Sequence, residues 1–274
     1  MPFHSTPTLA YHYHVHGNGP ALLLLHGFTG SAQDWEPLQV ALGDSYRLIA
    51  VDLPGHGRTD APANPVAYSM PNVANDLVAL LQKLGVERAH LLGYSMGGRL
   101  ALYLALHDPP RWSSLILESA SPGLPTNAER QARMAQDESL AAFIEHEGVE
   151  AFVECWQALP LFASQQKLPP DVREPHRAAR LRNRPLGLAN SLRGMGTGVQ
   201  PSLWDRLGEL TLPVLLVVGS LDEKFVAIAR QMSAAMPQVQ VATVPGAGHT
   251  VHLEQPARYA GLISDWLAEL SQTK

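Results

Sequence analysis

A single cysteine, Cys155, stands in 274 residues, so no internal disulfide can staple the fold and its stability must come from a core. Charge is sparse as well: Asp, Glu, Lys and Arg make up 16% of the chain, and acids outnumber bases to leave a formal net charge of -5. Without a basic surplus, the chain lacks the electrostatic footprint of a general nucleic-acid binder. No apolar run approaches the roughly 18 residues that a membrane-spanning helix needs. The opening MPFHSTPTLA has neither the charged nor the apolar region of a signal peptide. A cytoplasmic protein, monomer or weak homodimer, with no membrane or nucleic-acid partner is the expectation. Internal repeats, low-complexity tracts and flexible linkers are missing too, which argues against an array or two independent domains.

Apolar residues, by contrast, supply 46% of the chain, enough to exclude disordered and fibrous architectures. Short continuous apolar runs recur at Ala21–Leu25, Arg47–Val51, Ala89–Gly93, Ser114–Leu117 and Val214–Val218. Each is too short for a surface helix and reads as a strand buried on both faces. Between them lie amphipathic stretches, Ser31–Leu42, Asn72–Leu84, Met96–His107 and Pro256–Leu270, with Pro71 and Pro256 suited to a first helical turn and Gly85 to a C-terminal cap. Strands alternating with helices predict an α/β fold with a mostly parallel sheet. Between Glu118 and Pro213 about ninety residues hold no strand pattern, only helical patterns around Asn127–Glu147 and Val149–Ala158. The expected organisation is a core of residues 1–121 and 206–274 with a helical cap inserted at 122–205.

Gly93-Tyr94-Ser95-Met96-Gly97 follows a strand and precedes a helix, the setting in which G-x-S-x-G forms a nucleophile elbow. Its partners should follow as an acid and then a histidine. Asp222 comes after the strand Val214–Val218, and His249 after the strand-like run Val239–Val244. His26-Gly27-Phe28 ends another strand where the second oxyanion donor belongs, so the backbone amides of Phe28 and Met96 are the candidate pair. His12, His14 and His16 alternate along an N-terminal strand and could share a face as metal ligands. No acid accompanies them and a metal would leave the elbow unexplained, so neither metal nor cofactor is expected. His56 and His252 read as supports either of the catalytic groups or of the structure, since neither has the partner order of a triad. Within 21 residues Arg173, Arg177, Arg180, Arg182, Arg184 and Arg193 face only Glu174, six positive charges against one negative. The cluster favours an anionic ligand, because guanidinium groups grip carboxylates bidentately.

Through His26-Gly27, Asp52-Leu53-Pro54-Gly55-His56-Gly57, the Ser95 elbow, Gly219–Asp222 and Gly248-His249, the sequence resembles the α/β-hydrolase superfamily across nearly its whole length. Ser121-Pro122-Gly123-Leu124, Arg99, Arg133, Asp137, Trp156, Pro160 with Phe162, Arg182, Gly196–Pro201 and Asp222–Phe225 resemble, more narrowly, the 2-succinyl-6-hydroxy-2,4-cyclohexadiene-1-carboxylate synthases (MenH) of menaquinone biosynthesis. That resemblance implies a lyase that eliminates pyruvate from a small-molecule polycarboxylate without a cofactor. Ser95, made basic by His249 and Asp222, would take a ring proton. The charge would spread to a carboxylate oxygen held by the Phe28 and Met96 amides. It also implies Tyr94, Arg99, Arg133 and Arg182 as substrate-binding groups, with Trp156 and Phe162 walling the ring. The rival readings are a serine hydrolase of the same fold, acting on an ester or a carbon–carbon bond, and a non-enzymatic receptor, which an intact triad disfavours.

Overall fold

The computed structural model describes residues 3–6 and 9–272. Eight strands form one sheet: β1 (Phe3–Ser5), β2 (Ala10–His16), β3 (Ala21–Leu25), β4 (Arg47–Val51), β5 (Ala89–Tyr94), β6 (Trp112–Glu118), β7 (Val214–Gly219) and β8 (Val239–Val244). Their order is β1-β2-β4-β3-β5-β6-β7-β8, antiparallel at the first two pairings and parallel from there on. The N-terminal pair, of which only the histidine-bearing strand was expected, closes the β4 edge.

Period two divides the side chains of each central strand between two cores. Leu23 and Leu25 point to the face covered by α2 (Met70–Lys83), α3 (Met96–His107) and α7 (Glu223–Ala235), while Leu22 and Leu24 meet α1 (Glu36–Leu42) and α9 (Pro256–Gln272). A continuous Leu run is therefore what a strand buried on both faces requires. The expected helix Ser31–Leu42 is instead a 3-10 turn, Ala32–Trp35, followed by α1. Pro37 explains the break, since it cannot donate the hydrogen bond that a continuous α-helix would need there.

Between β6 and β7 every regular element is helical: α4 (Asn127–Gln157), a 3-10 segment (Pro160–Lys167), α5 (Pro170–Leu181), α6 (Pro185–Met195) and a 3-10 turn (Trp204–Glu209). Gly148, at φ 85°, divides α4 into the two helical patterns read from the sequence. These helices bury Ile144, Phe152, Val153, Leu188 and Leu192 in an apolar cluster of their own, against which Phe28 packs from the sheet side.

The elbow depends on one close approach. Ser95 adopts φ 50°, a conformation costing about 1–3 kcal/mol in a non-glycine residue. A Cβ at Gly97 would collide with the carbonyl oxygens of Leu25 and His26, and one at Gly93 with that of Gly97. Gly97→Ala is expected to cost more than the roughly 1–3 kcal/mol of ordinary overpacking, because backbone cannot give way. Gly85→Ala, at φ 68° with open space around its Cβ, should cost only about 1 kcal/mol of backbone strain. Urea denaturation of the two variants measures the difference, and equal losses would refute the close-approach account.

Candidate active site

Four strands deliver the candidate triad and oxyanion groups at the carboxyl edge of the sheet, where open α/β sheets bind ligands. Ser95 follows β5, Phe28 follows β3, Asp222 caps α7 after β7, and His249 follows β8. His249 Nε2 lies 3.1 Å from Ser95 Oγ, and His249 Nδ1 lies 2.6 Å from Asp222 Oδ2. Asp222 Oδ1 also accepts the Phe225 N–H, 3.3 Å away, so the α7 N-terminus holds the carboxylate in place. Phe225, Tyr94 and Phe162 pack round the imidazole at ring distances of 4.6, 5.5 and 5.9 Å and exclude water from it. Such a chain can move a proton between a hydroxyl and an imidazole whose tautomer the carboxylate sets.

The Phe28 amide is aimed by its neighbours. His26 Nε2 accepts the Leu53 N–H at 2.9 Å, which leaves the ring proton on Nδ1, and Nδ1 donates to the Gly27 carbonyl at 2.7 Å. In a trans peptide the C=O and N–H point in opposite directions, so holding the Gly27 oxygen sets the direction of the Phe28 N–H. Neither this amide nor that of Met96 donates to another backbone group in the described chain.

A cavity of about 820 Å³ opens over Ser95 and is lined by Phe28, Tyr94, Arg99, Arg133, Trp156 and Phe162, six of the predicted residues. Arg99 donates through Nη1 to the neutral Gln200 Oε1 at 2.9 Å, whereas Arg133 Nε pairs with buried Asp137 at 2.7 Å. Two cations thus share one anion. Burial, aided by Arg133 and opposed by Asp137, brings the Arg99 guanidinium down to about 10, still cationic at neutral pH. Burial pushes the Tyr94 phenol far above its usual range, so it stays protonated, and its hydroxyl shares a 2.7 Å hydrogen bond with Thr250.

Arg182 departs from expectation. It is exposed, donates to Gln33 Oε1 at 2.9 Å and does not line the cavity. At the end of α5 the helical turn points Arg180 inward instead: it is 5% exposed, with its guanidinium 5.2 Å from the Phe162 ring centre and its Nε without a partner. Arg180 lines an adjoining cavity of about 410 Å³, and Phe162 borders both spaces. The remaining arginines do not form one anion-binding face, because Arg173 pairs with Glu174, Arg184 bonds the Thr59 carbonyl, and Arg193 bridges Glu138 and Glu145. Sequence reading passed over Gln200 and Lys224, which sit in quoted motifs; Lys224 lines the cavity.

Among the other histidines, His12 Nδ1 is bonded to Asp52 Oδ2 at 2.8 Å, a partner remote in sequence. His56 sits beside His26 and Phe28 with no access to water.

Residues 20–256 match the alpha/beta hydrolase fold family. The chain belongs to this family. A putative 2-succinyl-6-hydroxy-2,4-cyclohexadiene-1-carboxylate synthase of Bacillus subtilis is 49% identical to this chain, covering 94% of it and 95% of that protein. The solved structure of MenH from S. aureus superposes with a TM-score of 0.91 at 35% identity, over 95% of this chain and 98% of that one. A thermophilic esterase from Thermogutta terrifontis, solved with malate bound, follows at 30% identity and a TM-score of 0.84, over 98% and 97%. Within that fold family the chain therefore belongs to the synthase family.

His56 makes the protein acid-sensitive in a definable window. Burial, reinforced by His26, lowers its pKa from 6.5 to about 3. The unfolded state consequently binds the extra proton first, and stability is lost as pH falls from about 6.5 towards 3, by about 2 kcal/mol at pH 5 for this group. Urea denaturation at pH 7 and pH 5 should show that part of the loss removed in His56→Phe; an unchanged pH dependence would exclude His56 as its source.

Proposed function

We propose that this hydrolase-fold chain is a carbon–oxygen lyase. It eliminates pyruvate from 2-succinyl-5-enolpyruvyl-6-hydroxy-3-cyclohexene-1-carboxylate to give 2-succinyl-6-hydroxy-2,4-cyclohexadiene-1-carboxylate, the compound after which its 49% identical relative is named. The observation that carries the reading is the uncompensated charge beside the serine: Arg99 and Arg133 over the single carboxylate of Asp137. A buried cation without its own anion costs free energy, and a substrate carboxylate supplies the missing partner.

In the proposed reaction the Ser95 proton passes to His249 Nε2 while Ser95 Oγ takes a proton from a ring carbon. The electrons of the broken C–H bond enter the conjugated system and form the new ring double bond. The C–O bond to the enolpyruvyl group breaks, and the departing oxygen is protonated from His249 by way of Ser95, so that pyruvate leaves as its enol. Phe28 and Met96 amides stabilise the oxygen on which charge develops. Arg99 and Arg133 hold carboxylates, and Arg180, reached past the edge of Phe162, takes the place expected of Arg182. Trp156 and Phe162 flank the ring. A cavity of about 820 Å³ suits a substrate of this size.

Serine hydrolysis is the second reading, favoured by the Ser95–His249 distance of 3.1 Å, which equally suits attack on a carbonyl. The two differ in covalent chemistry. Ser95→Ala and His249→Ala should each lower kcat for pyruvate release by about a thousandfold or more with an unchanged melting temperature. Mass spectrometry of quenched wild-type enzyme should show no substrate fragment on Ser95; a stoichiometric adduct would move the hydrolase reading to first place.

Recognition gives a separate test. Arg99→Ala, Arg133→Ala and Arg180→Ala should each lose about 2–5 kcal/mol in kcat/KM for the anionic substrate. Arg182→Ala should change it little. Hydrolysis of a neutral nitrophenyl ester by the same variants serves as the folding control. Because Arg99 and Arg133 share one carboxylate, Arg99→Met should leave the melting temperature unchanged or raise it. Equal losses on both substrates would refute carboxylate recognition.

A further inference from the structure

Behind the catalytic pair, one buried residue grips both halves of it. Glu118 ends β6 and has no exposure to solvent. Its backbone carbonyl accepts the Ser95 N–H at 2.8 Å, at the strained residue of the elbow. Its carboxylate accepts the backbone N–H of His252 at 3.1 Å and receives His252 Nδ1 at 2.8 and 3.0 Å. His252 lies one helical turn beyond His249, in the short helix α8 (Val251–Glu254). Glu254 closes the same loop from the other side, accepting the amides that flank His249, Gly248 N–H at 2.7 Å and Thr250 N–H at 3.3 Å. The loop therefore hangs from two carboxylates outside the triad, and one of them belongs to the residue that also holds the Ser95 backbone.

We propose that Glu118, acting through His252, is a positioning residue that sets the His249 imidazole against Ser95 Oγ. The inference rests on the reading that this pair performs the proton transfer. A buried ion pair adds little stability over apolar residues of the same volume, so fold stability does not account for it. What it defines is distance: both groups of the dyad are tied to one residue, Ser95 to its backbone carbonyl and the His249 loop to its carboxylate, and a displacement of about 1 Å at a reacting centre can cost about a hundredfold in rate. The surroundings allow His252 little freedom, with Trp35, Tyr94 and Tyr259 packed against its ring at 4.8, 4.7 and 5.9 Å. Charged and titratable groups face it from the 3-10 turn (Asp34), from α8 itself (Glu254) and from α5 (His176). Burial, the largest single influence, opposes the imidazolium, but the charge and hydrogen bond of Glu118 together with the charges of Asp34 and Glu254 outweigh it and raise the His252 pKa above its ordinary value.

The test separates positioning from folding and from the choice of reaction. Glu118→Gln keeps the carbonyl and one side-chain acceptor but removes the charge that holds His252. Expected are a fall in kcat of about tenfold or more with KM within about twofold of wild type, and an equal fall in the rate at which a fluorophosphonate labels Ser95. The labelling rate reads Ser95–His249 geometry whichever reaction the enzyme performs. Ser95→Ala with full lyase activity would refute the lyase mechanism and leave the labelling arm standing. Wild-type kcat and labelling rate in a folded Glu118→Gln would overturn the positioning role and leave the lyase standing. If Glu118→Gln does not fold, Glu118→Gln/His252→Gln removes both charges and keeps an amide pair, with the same falls expected. Wild-type rates in the double variant, or failure of both proteins to fold, would reduce the pair to a structural element.

Discussion

The backbone of α3 crosses the ends of β3 and β5 at a distance that only glycine allows. Gly97 lies against the Leu25 and His26 carbonyls and Gly93 against Gly97, and a side chain at either position would push strand and helix apart. Nearly everything else in the site follows from that contact. It forces Ser95 into φ 50°, which lifts the hydroxyl off the sheet edge, and it places the Met96 amide opposite the Phe28 loop that leaves β3. The strain at Ser95 is stabilised from behind, by the bond of its N–H to the Glu118 carbonyl and by two cores that bury the strands on both faces.

Around this frame the charge is distributed unevenly. Most of the arginines in the inserted helices are matched by acids or carbonyls at the surface, where an ion pair is worth little. Arg99, Arg133 and Arg180 differ in being turned towards enclosed space, with fewer anions than cations among them. A chain with a net charge of -5 thereby still turns guanidinium groups towards enclosed space, where a low effective dielectric makes each count for more. Hydrolysis and elimination can run on the same serine and histidine. In the proposed lyase, what the arginines add is selection of the substrate, and with it the bond that breaks.

Much of this was legible in the residues. Strands buried on both faces announce themselves as unbroken apolar runs, as in Ala21–Leu25, because a parallel sheet covered by helices leaves no polar side. The elbow, the acid and the histidine follow an order along the chain that is set by local strand-to-loop punctuation. Even the break in α4 was readable, since Gly148 separates two helical patterns. Arg180 and Arg182 show where such reading stops: two residues apart, they differ by about 200° of helical rotation, so one is buried behind Phe162 and the other reaches Gln33 at the surface.

The sequence by itself determined the fold class, the nucleophile elbow and the candidates for its partners, because these depend on short-range periodicity and on glycine where the backbone must pass close. Tertiary structure alone decided which arginine faces inward, that Asp52 holds His12, and that Glu118 and His252 meet across 134 residues of chain. Those pairings depend on the register of strands and the rotation of helices. Small differences in packing set both, and no local pattern of residue types records them.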